Sequence, residues 1–190
     1  MTDPKADLHR YLTIAREDVL WKLDGLSEYD LRRPMTLTGT NLLGVVKHLA
    51  CVQIGYLGWT FGRAPDVRLP WFDDDAEPNA DMFASADESR EQVLALYRQA
   101  GEIGEATIAE LALDAPGHVP WWKPERNPVT LHAILVHLID ETNRHLGQMD
   151  IVRELIDGAV GLRADNSNLP PGVTWPEYHA RLETLAAQFR

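Results

Sequence analysis

Cysteine is nearly absent. Cys51 stands alone in 190 residues, so no internal disulfide can form and a reducing compartment is the expected setting. Basic residues are short as well: 18 Lys and Arg stand against 29 Asp and Glu, a formal net charge of −11, with no Lys/Arg cluster anywhere. Nucleic acid and anionic membrane surfaces are bound through basic patches, so neither is an expected partner. No uninterrupted apolar run approaches the length of a membrane span, and the opening MTDPKADLHRYL has no apolar signal core. Alternating strand patterns, internal repeats, a phosphate-cradling glycine loop and a nucleophile elbow are missing too. These absences leave a cytoplasmic helical protein of about one domain as the expectation.

What is present is helical periodicity. Leu8, Leu12, Ala15, Val19 and Leu23 predict a first helix from about Asp7 to Gly25. Thr40 or Asn41 caps a second, running to about Gly62 with Leu42, Val45, Leu49, Val52, Tyr56 and Trp59 on its apolar face. Ser85, with Glu88 three residues on, reads as a capping box for a third helix that reaches about Leu113. Thr130 caps a long fourth, Leu131 to Gly158, whose apolar positions include Ile134, Leu138, Ile151, Leu155 and Ile156. A last short helix spans Trp175 to Gln188, with Tyr178, Leu182 and Leu185 on one side. Two loops intervene: Arg63 to Ala84, with Trp71-Phe72 and the acidic run Asp73-Asp74-Asp75, and Asp114 to Asn127, with Trp121-Trp122. The order predicts an all-α protein: a four-helix bundle over residues 1–158 and a short helical extension, 159–190, packing on it.

The fourth helix carries the chemistry. His137, Glu141 and His145 follow one another at four-residue spacing, and Gln148 extends the same stripe. Four residues advance a helix roughly 40° past a full turn, so neighbours in this series share a face. A carboxylate set among apolar positions is expensive to bury without a counter-charge, and a cation is the first candidate. His48, between Val45 and Val52 on the second helix, supplies a third donor from a facing element. Two imidazoles and one carboxylate leave a divalent ion an open position for water or substrate, as catalytic zinc sites do, and the same set suits nickel or ferrous iron. His137 is then a further ligand or an outer partner that orients one, with Gln148 beside it. On spacing alone, Glu141 and His145 are equally an exposed helix pair contributing a few tenths of a kcal/mol. Cys51, Trp59, Trp121 and Trp122 read first as core and only second as pocket walls. His118 and His132 fall outside the series and are assigned to loops or surface, and the Asp73 to Asp75 run to solvated loop.

Two separated motifs add a resemblance. V-V-K-H-L-A at Val45 to Ala50, overlapping the longer run Thr36 to Leu49, pairs with H-L-I-D-E-T-N-R-H-L-G-Q at His137 to Gln148. Together they resemble the DinB/YfiT-like family of metal-binding four-helix bundles. The closing run His145 to Gly158 is most similar to an actinobacterial, mycothiol-transferase-like branch. The resemblance implies a divalent metal, zinc or nickel, held by His48, Glu141 and His145. Many members carry His where Glu141 stands, whereas the mycothiol-dependent isomerases have Glu there and add a sizeable C-terminal domain. The implied activity is a metal-dependent transfer of a small thiol, mycothiol-like, to an electrophile in detoxification, with mycothiol as co-substrate and a homodimer as the assembly. A metal-binding stress protein without turnover, or a metal-dependent hydrolase, is the alternative.

Overall fold

The computed structural model describes residues 3–63, 65–73 and 75–190, and Asp74 of the acidic run lies outside the described residues. The chain divides into two compact units, residues 1–160 and 161–190. The first is helical apart from one two-residue antiparallel pair, β1 (Pro116–Gly117) with β2 (Val129–Thr130). Helix α1 (Pro4–Trp21) begins three residues before the predicted start at Asp7. Asp3 accepts the Lys5 amide N–H and Pro4 takes the first helical turn, a start signal stronger than the periodicity. A short α2 (Glu28–Arg32), capped by Ser27, fills what reads in sequence as connector.

Helix α3 (Leu42–Gln53) starts at Asn41, whose side-chain oxygen accepts the Gly44 N–H at 2.7 Å. It runs on without a break as a π-helical turn, Ile54–Gly58, then a 3-10 turn, Trp59–Phe61, and stops at Gly62 in the left-handed conformation. The whole 42–61 stretch is long and apolar enough, by length and composition alone, to cross a membrane, and 83% of its most apolar portion is buried inside the protein. Helix α4 (Arg90–Glu110) starts at Ser89 rather than Ser85, with Ser89 and Gln92 forming the capping box. Glu88 closes a separate turn ahead of the helix by accepting the Ser85 N–H at 2.8 Å, and its carboxylate also meets the buried Lys47 ammonium at 2.9 Å.

Helix α5 (Leu131–Asp157) is capped by Thr130 and ends at Gly158, φ 77°, as the sequence predicts. Its buried stripe is the predicted one only in part: Ile134 and Leu138 are fully buried and Ile156 packs half-buried on the core. Leu138, Thr142, His145, Met149 and Val152 face inward at alternating steps of four and three, while Ile151 and Leu155 lie on the adjoining face, 59% and 63% exposed. Helix α3 packs chiefly on α4 and α1 on α5, and α3 also meets α5, which brings the second half of α3 beside the middle of α5. Leu12, Leu49, Leu57, Ile134 and Leu138 are fully buried in this interior, and truncating any one to Ala is expected to cost about 2–5 kcal/mol. The second unit contains α6 (Trp175–Ala186) and a closing 3-10 turn, Ala187–Phe189, with Trp175 and Tyr178 edge to face at 5.7 Å.

Candidate metal centre

The α3–α5 contact brings His48, Glu141 and His145 together, with one ligand-type atom from each within 4.8 Å of the others. His48 Nε2 lies 3.6 Å and His145 Nε2 3.3 Å from the same carboxylate oxygen, Glu141 Oε1. The rings stand edge to face at 4.8 Å. His145 is buried, and His48 and Glu141 are half-buried.

The other ring nitrogens fix what the converging ones can do. His48 Nδ1 is 2.6 Å from Asp81 Oδ2, and His145 Nδ1 is 2.9 Å from Gln148 Oε1. A carboxylate and an amide oxygen only accept, so each Nδ1 must carry the proton and donate it. Each neutral imidazole then turns a bare Nε2 lone pair toward Glu141 Oε1, itself an acceptor. Three acceptors meeting without a donor repel one another, and a cation or a proton between them resolves the clash. Ligand atoms of a tetrahedral zinc site, with bonds of about 2.0–2.1 Å, stand roughly 3.3–3.5 Å apart, close to the two separations here. The donor set and its spacing therefore fit a divalent ion, and the Asp81 carboxylate behind His48 is the kind of outer partner such sites use.

Asp81 is the residue that the sequence does not single out. It stands 33 positions from His48, in a loop without periodicity. The His48 hydrogen bond holds its carboxyl below the ordinary carboxylate range, against the opposite pull of burial. Its place is secured by the neighbour of His48. Lys47 is 1% exposed, and its ammonium donates to Ala80 O at 2.7 Å, Phe83 O at 2.8 Å and the Glu88 carboxylate at 2.9 Å, while lying 4.0 Å over the Trp71 ring. Two consecutive residues thus grip one short segment, Lys47 by its backbone on both sides of Asp81 and His48 by the carboxylate itself. Gly44 allows the segment to come this close, because a Cβ there would sit 1.8 Å from Met82 O.

The remaining candidates are distributed as follows. Gln148 meets His145, as above. His137 lies outside the group of three, its ring edge to face with Tyr56 at 4.6 Å and Trp122 at 5.4 Å, and burial lowers its pKa. Cys51, with Trp59, Phe72 and Trp121, lines a cavity beside the triad. Burial pushes the Cys51 thiol up to about 12, so it rests as a thiol and is no nucleophile at neutral pH. His118 and His132 are exposed and lie outside the group of three. Trp71 lies under Lys47, its ring 4.0 Å from the ammonium.

A helical protein that presents two imidazoles and a carboxylate to one point defines a class, that of helical scaffolds with a candidate metal centre. The family model for mycothiol-S-transferases matches residues 7–158, and the chain belongs to that DinB/YfiT-like family. No curated protein sequence matches it significantly.

Proposed function

We propose that the protein is a divalent-metal-dependent S-transferase that joins a mycothiol-like thiol to a small electrophile in cytoplasmic detoxification. The scaffold we assign is the four-helix bundle of the DinB type, formed by α1, α3, α4 and α5, working as a homodimer. The observation that carries the reading is the convergence of two proton-locked imidazoles and one carboxylate, in a chain whose family is that of mycothiol transferases. In this reading His48, Glu141 and His145 hold the ion, zinc before nickel or iron.

The bound ion supplies one thing, stabilisation of the thiol sulfur as thiolate, the nucleophilic form. The chain does the rest. Asp81 and Gln148 keep both imidazoles in the tautomer that offers Nε2, and Lys47 holds the Asp81 segment against α3. Half-burial of His48 and Glu141 leaves one side open to the adjoining cavity, where the electrophile enters. The carbon–sulfur bond forms as the bond to the leaving group breaks, the leaving group departs with the bonding pair, and the thiol proton goes to solvent.

The test is metal content of protein purified without chelator or histidine tag, followed by thiol consumption with an electrophile. Stoichiometric metal and thiol loss that stops on chelation are expected. Metal without thiol consumption would favour the binding protein, and the absence of metal would remove the reading altogether.

A further inference from the structure

We propose that the cavity beside the triad is the subsite of the electrophile, shaped for a planar aromatic molecule with an acceptor oxygen, and that the Tyr56 hydroxyl is the donor that orients it. The proposal rests on the transferase reading above for its chemistry but not for its binding test.

The cavity measures about 560 Å³, within the roughly 300–1,000 Å³ of small-molecule sites. Its lining falls into two patches. His48, Asp81 and Glu141 form one, with His48 meeting both carboxylates. The other is aromatic. Trp121 stands edge to face against Tyr56 at 5.1 Å and against Trp59 at 6.4 Å, with interplanar angles of 67° and 79°. Near-perpendicular walls give an inserted ring a face from one neighbour and an edge from another, the arrangements aromatic pairs prefer. A polyhydroxylated thiol would need a polar partner for each hydroxyl, and this patch offers it mostly carbon. The aromatic walls therefore suit the other substrate.

The π-helical turn at Ile54–Gly58 places these walls. It adds a residue to the turn after α3 and brings Gly55 and Tyr56 onto the cavity. At Gly55 a Cβ would meet the tip of the Trp121 ring at 2.8 Å, so the indole occupies the space that a side chain would take.

Tyr56 supplies the polarity. Its hydroxyl oxygen accepts the Trp121 indole N–H at 3.3 Å and the Trp122 indole N–H at 3.1 Å. A phenol has two acceptor positions and one proton to donate. With both acceptor positions used, donation is the function left, and among the described residues no acceptor takes that proton. Tyr56 is 8% exposed and lines the cavity, so an acceptor on a bound molecule is the partner that would satisfy its hydroxyl. An electron-poor aromatic fits this donor, because charge delivered to its ring by an attacking sulfur collects on a nitro or carbonyl oxygen. In the full step the carbon–sulfur bond forms, the ring carbon loses its halide with the bonding pair, and the thiol proton passes to solvent.

The test is calorimetric titration of metal-stripped protein, without thiol, using nitrobenzene, toluene and nitrocyclohexane as probes. Nitrobenzene should bind saturably, and toluene and nitrocyclohexane about three- to tenfold more weakly, one lacking the acceptor and the other the flat ring. Tyr56→Phe should bring nitrobenzene down to the toluene value and leave toluene unchanged, whereas a general packing defect would weaken both. Absence of saturable binding, equal affinity for nitrobenzene and toluene on the wild-type protein, or equal affinity for nitrobenzene and nitrocyclohexane would overturn the assignment. Because these readings need neither metal nor turnover, binding with no transferase activity would fault the proposed function alone. Transferase activity without binding would fault the subsite alone.

Discussion

Two polar clusters of the helical unit are built on opposite rules. On one side Arg16 donates through Nε to Gln53 at 2.5 Å and through Nη1 to Glu105 at 2.7 Å, while the other Glu105 oxygen meets His9 at 2.5 Å. Every acceptor there faces a donor, and what is left over is a donor: among the described residues Arg16 Nη2 has no hydrogen-bond partner. On the other side His48, Glu141 and His145 bring three acceptors to one point, with their own donors already spent on Asp81 and Gln148. A surplus of donors cannot hold a cation and a surplus of lone pairs can, so burial and charge alone do not mark a functional cluster. The sign of the mismatch does. The Arg16 cluster ties α1 to α3 and α4, and the His48 cluster is set for an ion.

The sharpest way to break this contrast is to remove one acceptor. His145→Ala is expected to abolish stoichiometric metal binding, read by elemental analysis of the purified variant, with the helical circular dichroism retained. Metal retained at one per chain would defeat the ligand assignment. Next in size is Asp81→Ala, which leaves the three ligands in place and frees His48 to turn or change tautomer. Metal affinity should fall about 10- to 100-fold in a competition titration against a chromophoric chelator. An unchanged affinity would mean that the Asp81 bond has no part in the site.

The matched cluster should respond in the opposite sense. Arg16→Met removes the donors of Gln53 and Glu105, and the cost falls on folding rather than on metal. A loss of about 1–3 kcal/mol is expected, seen as a fall of several degrees in melting temperature, with metal content unchanged. If Arg16→Met lost metal as fully as His145→Ala, the two clusters would not be independent and the contrast would fail.

The difference between the clusters also separates what is legible in the amino-acid sequence from what is not. The long helix 131–157 is readable because Thr130, Gly158 and the run between them agree, and Glu141 and His145 share its inward face at a spacing the helix itself enforces. His48 is readable through its own helix and through the family resemblance. Asp81 and Lys47 are not. Their roles arise from a loop laid against Gly44, and nothing local to 78–83 states that Lys47 reaches across to its carbonyls. The start of α4 also differs from the predicted one: Glu88 accepts the Ser85 N–H at capping-box spacing while pairing with Lys47, but the helix itself begins four residues on, at Ser89 with Gln92. Ile151 and Leu155 differ from expectation for a related reason: apolar residues on two adjoining faces of one helix look alike in sequence, and only its partners decide which face is covered.

The smallest test falls on that Lys47–Glu88 pair, a matched contact standing directly against the acceptor-rich site. Burial pushes the Glu88 carboxyl up, but the Lys47 ammonium and the Ser85 N–H outweigh it, and the carboxyl titrates below its ordinary value. A carboxyl with a lowered pKa in the folded state stabilises the fold fully above its unfolded value, about 4.3. As pH falls through that value the unfolded chain takes up the proton first, so the contribution is lost between there and the folded value. Urea unfolding of chelator-treated protein from pH 6 to pH 3 should show the wild-type advantage over Glu88→Gln shrinking with acid. Subtracting the variant removes the parallel titration of Asp81. A difference that stayed constant across this range, or grew with acid, would show that Lys47 gains nothing from the charge on Glu88. Lys47 would then hold the loop carrying Asp81 through the two carbonyls and the Trp71 ring.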